Sequence, residues 1–174
     1  MGWEVCVAVN LSTRQFREPD LIETVEQAIE DTGLAPNYLK LEVTESGVME
    51  YPEQAIAKMK TLQTKGIHFS IDDFGTGYSS LGYLKRLPID TLKIDRSFVM
   101  DSTTDKDDQE IIKTIIAMAQ NLHMDTVAEG VETKEQQEFL TQHGCHMMQG
   151  YYFGRPMPAE QFEEMLHSCH SPRF

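Results

Sequence analysis

The chain has 174 residues, 40% hydrophobic and 25% charged, which fits one globular domain with room for a sizeable core. Its formal net charge of −13 argues against a protein that holds nucleic-acid polymers by broad phosphate neutralisation, but it permits a small anionic ligand bound through divalent cations. Because there is no membrane-length apolar run, no secretory-signal pattern and only three cysteines, we expect a cytoplasmic protein without a membrane segment.

Strand-like and helix-like segments alternate along the whole chain. Short β-branched or apolar runs predict strands, and apolar residues at helical spacing, often followed by glycine, predict helices. The predicted strands cover residues 5–9, 38–43, 67–71, 91–94, 125–128 and 146–149. The predicted helices cover residues 19–31, 52–64, 80–86, 107–122, 134–142 and 159–167. Strands that are each followed by a helix predict parallel βα units with right-handed crossovers.

Two α/β folds fit this alternation, a doubly wound sheet and a (β/α)8 TIM-type barrel, here with about six βα units. No Gly-x-Gly-x-x-Gly turn follows the first strand, which weakens the nucleotide-binding doubly wound alternative. The barrel predicts functional groups just past the carboxyl ends of its strands. Polar residues do lie at or just past the carboxyl end of each predicted strand: Asn10 and Ser12, Glu42 and Glu45, Asp72 and Asp73, Lys93 and Asp95, Glu129 and Glu132, and Gln149.

The segment 72–80 is the most informative part of the sequence. Its two adjacent acids, Asp72 and Asp73, follow an apolar run and precede a loop rich in glycine and hydroxyl residues. This layout is typical of a metal-dependent active site, but a solvated turn is an alternative because Asp and Gly are common turn residues. A single acid at a strand end is more often a helix N-cap. Polar groups at all the strand ends are harder to explain by capping, and they favour the active site.

The polar strand ends offer oxygen ligands, which hard cations such as Mg²⁺ or Mn²⁺ prefer. Adjacent acids can serve two ions, and a pair of metals clamps the attacking and leaving oxygens of a phosphoryl displacement. Lys93 is a candidate to hold a bridging water or to neutralise developing charge, with a plain salt bridge as its alternative role. Glu129 is the candidate general base, provided that it reaches the nucleophilic water. The candidate metal ligands are Asn10, Glu42, Asp72, Asp73 and Glu129.

A second group of possible ligands lies near the C-terminus. Its spacing matches no closed structural zinc site, and we expect a loop cysteine and a polar tail instead. The group comprises His143, Cys145, His146, His167, Cys169 and His170.

Six motifs along the chain resemble those of a known family. In order, they are Val9-Asn10-Leu11-Ser12, Leu41-Glu42-Val43-Thr44-Glu45, Asp72-Asp73-Phe74-Gly75-Thr76-Gly77, Leu92-Lys93-Ile94-Asp95, Ala128-Glu129-Gly130-Val131-Glu132-Thr133 and Gln149-Gly150-Tyr151-Tyr152-Phe153. The sequence resembles the EAL domain, a bacterial phosphodiesterase of second-messenger signalling that opens cyclic di-GMP to linear pGpG. The resemblance covers nearly the whole chain, from about Val5 to about Met165.

The resemblance implies a role for each matching position. The five candidate ligands would bind Mg²⁺ or Mn²⁺, Lys93 would be a catalytic lysine and Glu129 the general base. Calcium would inhibit, because its larger and looser coordination shell displaces the nucleophile. Substrate contacts would come from Gln149, Asp95 and a guanine-binding wall that includes Pro156. Glu45 would tether a loop that communicates with a dimer interface. The loop and regulatory positions are Phe74, Gly75, Thr76, Gly77, Ser79, Ser80 and Glu132.

The sequence also departs from the family. The Glu-Ala-Leu motif and the family's first two strands are absent, and with them a metal-binding glutamate and a substrate-binding arginine. We therefore expect residues 1–174 to be the C-terminal part of a single barrel domain, with no second domain, from a protein that also carries a sensory or cyclase domain upstream. Six strands leave two open edges, so we expect a homo-oligomer or poor solubility.

Three functions remain open on these grounds. The first is metal-dependent hydrolysis of cyclic di-GMP, favoured by the presence of Lys93, Glu129 and both loop aspartates. The second is a non-catalytic module that binds cyclic di-GMP or a protein partner, favoured by the absent ligand. The third is an unrelated barrel enzyme that acts on another phosphate ester.

Overall fold

A computed structural model describes residues 5–77 and 81–168. Its centre is one sheet of six parallel strands in the order β1-β2-β3-β4-β5-β6, curled into part of a barrel. The strands are β1 Val7–Leu11, β2 Leu39–Thr44, β3 His68–Phe74, β4 Thr91–Ile94, β5 Asp125–Glu129 and β6 Met147–Gln149. Because all five strand pairs are parallel, all six carboxyl ends lie at the same rim of the sheet.

Helices follow the strands along the chain, and several of them pack against the sheet. They are α1 Thr13–Arg17, α2 Leu21–Thr32, α3 Glu45–Glu50, α4 Pro52–Gln63, α5 Leu81–Leu84, α6 Arg96–Met100, α7 Lys106–Asn121, α8 Lys134–Gln142 and α9 Ala159–Ser168, with a 3₁₀ turn at Pro36–Tyr38. The core forms between strands and helices. On α7, for example, Ile112, Ile115, Ile116 and Ala119 recur at helical spacing and are buried. No helix in the described ranges is long and apolar enough to cross a membrane.

The two faces of a strand differ, as β2 shows. Leu39, Leu41 and Val43 are buried in the core, while Lys40 and Glu42 alternate with them and point to the other face. The concave face is therefore partly polar. The edge strand β1 is different again, because Val7 and Val9 are exposed, with 45% and 43% of their surface accessible. β1 is thus an open, apolar edge of the sheet, as expected from a sheet of six strands.

The strand prediction is confirmed in number and order, with shifted ends. β1 begins at Val7 and continues to Leu11, whereas the predicted strand covered residues 5–9. β3 continues through Asp72 and Asp73 to Phe74, although a strand end was predicted at Ile71. Asp72 and Asp73 therefore lie within β3, at an irregularity in its pairing with β4.

Three short helices were not predicted. α1, α3 and α6 each have five or six residues and follow directly after a strand. Each carries a capping side chain that explains its start: Ser12 in a reciprocal capping box with Gln15, Thr44 accepting from Gly47, and Asp95 accepting from Ser97. These helices turn the chain sharply at the rim of the sheet.

Candidate active site

Lys93 lies at the centre of a cluster of carboxylates at the rim of the sheet. Its Nζ atom is 2.7 Å from Glu42 Oε2, 3.1 Å from Asp72 Oδ1 and 2.7 Å from Glu129 Oε1. The four residues come from β2, β3, β4 and β5, so four consecutive strands contribute one group each. These strand ends therefore converge, as the barrel fold predicts. We call the part of the rim around these four residues the mouth.

The lysine is almost fully buried, with 5% of its surface exposed. Burial alone would lower the pKa of Lys93, but hydrogen bonds to Glu129, Glu42 and Asp72 outweigh this effect and raise the pKa above its ordinary value. The side chain is therefore charged at neutral pH. It compensates carboxylates that would otherwise repel one another at this depth.

An irregularity in the pairing of β3 with β4 brings Asp72 and Asp73 to the same site. Ile71 pairs with Leu92 and Phe74 with Ile94, so two residues of β3 oppose Lys93 alone. This is a β-bulge, and Asp73 adopts a positive φ of 54° in it. Consecutive residues of a regular strand point to opposite faces. The bulge removes this alternation, and oxygens of Asp72, Asp73 and Glu129 lie within 4.8 Å of one another.

The acids influence one another electrostatically. Partial burial, followed by the charges of Asp72 and Asp95, raises the pKa of Asp73. Burial also raises the pKa of Glu129, although the hydrogen bond from Lys93 opposes the shift. Carboxylates with raised pKa values in close proximity gain most from a cation. The donor set, all oxygen and without His or Cys, fits a hard divalent ion such as Mg²⁺ or Mn²⁺.

Two of the remaining candidate residues lie on strands next to this cluster. Asn10 lies on the edge strand in register with Glu42, and Gln149 lies on β6 in register with Glu129. Asp95 accepts a hydrogen bond from the Ser97 backbone as the N-cap of α6. Pro156 is exposed in the segment between β6 and α9.

Glu45 joins the loop after β3 to the site. Its buried carboxylate accepts hydrogen bonds from the backbone N–H groups of Gly75, at 3.1 Å, and Gly77, at 3.3 Å. The tether implied by the resemblance is thus a real contact in the described part of the loop. Ser79 and Ser80 lie outside the described residues.

A separate pocket of about 210 Å³ opens beside Glu129. Its polar lining comes from Arg96, Glu129, Glu132 and Gln149, and Tyr151 supplies a ring. Neither Arg96 nor Tyr151 was singled out from the sequence for a role in the site. The available signal was weak: Arg96 directly follows the Lys93–Asp95 motif, and Tyr151 lies inside the motif that begins at Gln149.

The sequence profile of the family described as "EAL domain" matches residues 3–156. The chain belongs to the EAL domain family. This confirms the resemblance, and it identifies the curled sheet as part of the TIM-type barrel of that family. The match includes all six motifs, from Asn10 to Gln149.

Two curated relatives come from Pseudomonas aeruginosa. This EAL chain is 50% identical to the cyclic di-GMP phosphodiesterase NbdA over 160 residues. The aligned segment is 92% of this chain and 20% of NbdA. It is also 50% identical over 155 residues to the bifunctional diguanylate cyclase/cyclic di-GMP phosphodiesterase MucR, covering 89% of the chain and 23% of MucR. The chain therefore spans about a fifth of the length of these relatives.

Solved structures show the same fold. The PaMucR phosphodiesterase in complex with c-di-GMP superposes with a TM-score of 0.88 at 50% identity, over 90% of this EAL chain and 64% of PaMucR. Klebsiella pneumoniae BlrP1 in a manganese/cy-diGMP complex superposes with a TM-score of 0.79 at 34% identity, over 87% of this chain and 39% of BlrP1.

Proposed function

We propose that this EAL chain binds cyclic di-GMP at the rim of the sheet and hydrolyses one phosphodiester bond to give linear pGpG. The observation that carries the proposal is the cluster of Glu42, Asp72, Lys93 and Glu129, which the bulge extends with Asp73. Two further findings support it: NbdA and MucR are named as cyclic di-GMP phosphodiesterases, and PaMucR has been solved with c-di-GMP.

The carboxylates would hold Mg²⁺ or Mn²⁺. Asp72, Asp73 and Glu129 already lie close enough for shared ligation, and Glu42 and Asn10 are placed to complete the set from the neighbouring strands. The BlrP1 complex with manganese supports this choice of ion. Bound divalent ions would neutralise the phosphate and supply an activated water for in-line attack.

Glu129 and Lys93 would divide the proton and charge chemistry between them. Glu129 is the proposed general base, and its raised pKa brings its basicity closer to neutral pH than that of an exposed carboxylate. Lys93 remains charged and would stabilise the negative charge that develops on the phosphate. Gln149, Asp95 and Pro156 would contact the rest of the substrate, and Glu45 would hold the adjacent loop, including Phe74 and Thr76.

The wider context of the chain is part of the proposal. We expect it to form homo-oligomers and to act in the cytoplasm beside a sensory or cyclase domain. The relative MucR supports a neighbouring cyclase domain, because its name describes a bifunctional diguanylate cyclase and phosphodiesterase. The segment that matches this chain is 23% of the length of MucR.

One observation favours a second candidate, a module that binds cyclic di-GMP without cleaving it. Lys93 engages Glu42, Asp72 and Glu129, which are three of the proposed metal ligands. A cation must compete with this ammonium for the same oxygens. If the ammonium wins at physiological metal concentrations, the mouth would still present a polar surface to the ligand but would lack catalysis.

The experiment compares the chain and Glu129→Gln on cyclic di-GMP with Mg²⁺ or Mn²⁺, with chromatographic detection of pGpG. We expect product from the unmodified chain and a loss of about 100-fold or more in the variant. Glu30→Gln, the same change at an exposed position of α2, is the control. Binding measured by calorimetry separates the candidates: binding without product supports the second, and neither binding nor product contradicts both.

A further inference from the structure

We propose that Arg96 contacts the substrate in the pocket beside Glu129, where its guanidinium reads a guanine base and sets the preference for guanine over adenine. This rests on the proposed function and adds to it a residue that lies outside the six motifs. Arg96 is the first residue of α6, immediately after Asp95. Four properties of the pocket support the role: its backbone contacts, the charge of Arg96, its chemical match to guanine and its size.

The frame of the pocket is fixed by close backbone contacts. Gly130 has φ +70°, and a Cβ atom there would lie 2.6 Å from the Cβ of Arg96. A Cβ atom at Gly150 would lie 2.0 Å from the carbonyl oxygen of Val131. Backbone hydrogen bonds from Val131 N–H to Gln149 O and from Tyr152 N–H to Val131 O join the same segments. The start of the Arg96 side chain is therefore held against a rigid wall.

The charge of Arg96 is available to a ligand. Among the described residues its guanidinium forms no ion pair with a carboxylate, and the hydrogen bond that it makes goes to the sulfur of Met100 at 3.7 Å, a weak acceptor. Lys93, the other cation at this end of β4, is by contrast engaged by three carboxylates. Arg96 is thus a cation that is free to meet an incoming acceptor in a mouth dominated by acids.

The lining groups match the edges of guanine. Guanine presents two acceptors, O6 and N7, which an arginine binds in a bidentate manner. Its N1–H and N2–H groups are donors that suit a carboxylate such as Glu132, which lines the same pocket. Adenine carries an amino donor in place of O6 and would face the guanidinium donor with a donor. Tyr151 offers a ring for stacking, and the Arg155 guanidinium lies 4.4 Å from the centroid of this ring.

The size of the pocket fits one base. Its volume of about 210 Å³ lies below the roughly 300–1,000 Å³ of pockets that enclose a whole drug-sized ligand. A cyclic dinucleotide would place one base there and extend its phosphates over the open mouth. Because Glu129 belongs both to this pocket and to the Lys93 cluster, a base bound beside Arg96 would place the phosphate that its ribose carries near the candidate ligands.

The test compares Arg96→Met and Arg96→Lys with the unmodified chain on three substrates, with Mn²⁺ present: cyclic di-GMP, cyclic di-AMP and the base-free ester bis(p-nitrophenyl) phosphate. Arg14→Met, on α1, removes the same charge from a side chain that is 92% exposed and serves as the control. For Arg96→Met we expect kcat/KM on cyclic di-GMP to fall about tenfold or more, with no change on the other two substrates. Arg96→Lys keeps the charge but loses the bidentate fork, so it should recover only part of the loss.

Other outcomes overturn the proposal. An equal loss on the base-free ester would mean that Arg96 acts on the catalytic centre or on the fold, and an unchanged ratio between the two dinucleotides would mean that it reads no base. If the unmodified chain binds cyclic di-GMP without cleaving it, affinities from calorimetry replace kcat/KM and the same ratio decides. If it cleaves only the base-free ester and binds no dinucleotide, the proposed function itself fails, and this inference fails with it.

Discussion

At the scale of single residues, Lys93 forms ion pairs with three carboxylates at once, those of Glu42, Asp72 and Glu129. Lys93→Met keeps the length of the side chain and removes its charge. Since an uncompensated buried cluster remains, we expect the free energy of unfolding to fall by about 3 kcal/mol in metal-free buffer. Urea unfolding followed by circular dichroism measures this change.

Added Mg²⁺ should stabilise Lys93→Met more than the unmodified chain, because the ion can take the place of the missing ammonium. Lys113→Met is the control, since its pair with Glu110 is exposed on the surface and contributes little to stability. The folded-state pKa of Lys93 is raised, so its contribution is fully present at neutral pH and is lost only as the pH rises through that pKa. A variant as stable as the parent without metal would contradict this account.

The sequence was sufficient to predict that several polar residues lie at the strand ends, and insufficient to predict how they pair. Polar residues just past apolar runs, such as Glu42 and Glu129, are a direct signal of strand ends in a parallel sheet. Spacing alone, however, contains no information on which of several acids a lysine will contact. Arg96 was missed for a similar reason, since an arginine after a strand is ordinarily a solvated residue and only the pocket distinguishes it.

At the scale of elements, the contact between α3 and the loop after β3 controls one side of the mouth. Glu45→Ala removes the acceptor of the Gly75 and Gly77 N–H groups. Each lost partner costs about 1–3 kcal/mol when the group stays out of water, so this loop should open more often. We expect amide hydrogen exchange of Gly75 and Gly77 to become about tenfold faster or more by NMR, with lower hydrolytic activity.

Glu45→Gln should show a smaller effect, because its amide oxygen still accepts a hydrogen bond. The matched control is Glu50→Ala, at the end of the same helix, whose carboxylate pairs on the surface with Arg17. Unchanged exchange at both glycines in Glu45→Ala would show that the loop is held by other contacts.

Long elements were predictable and short irregular ones were not. The pattern of α7 extends over four turns, whereas α1 and α6 have five residues each, which is too short for the helical pattern to repeat. A capping-box signature at Ser12 and Gln15 was the available signal for α1. The bulge at Asp72 and Asp73 gave no signal, because it depends on how β3 pairs with β4 and not on either strand alone.

At the scale of the whole molecule, the sheet has two edges that carry exposed apolar side chains. Val7 and Val9 lie on β1, and Met147, 41% exposed, lies on β6. Beside β1, a cavity of about 430 Å³ is lined by Val9, Leu21 and neighbouring apolar groups. Exposed edges with such side chains pair readily with other chains. We therefore expect concentration-dependent self-association of this chain in static light scattering.

The double variant Val7→Lys and Val9→Lys should reduce this association, because charges on an edge strand oppose pairing. Ile111→Lys, which introduces a charge at an exposed apolar position of α7, is the control and should leave it unchanged. A chain that stays monomeric over the whole concentration range would show that these edges do not associate.

Because β2, β3, β4 and β5 each contribute one residue to the Lys93 cluster, the cluster is complete only after all four strands have paired. Glu42, Asp72, Lys93 and Glu129 are spread over 88 positions of the chain, and Lys93 meets Glu129 only once β4 has paired with β5. During synthesis the earlier units emerge first, and until β5 follows they carry three of these four residues at most. If the chain has the proposed hydrolytic activity, a half-folded molecule would lack it, and the appearance of activity would report that β4 and β5 have paired.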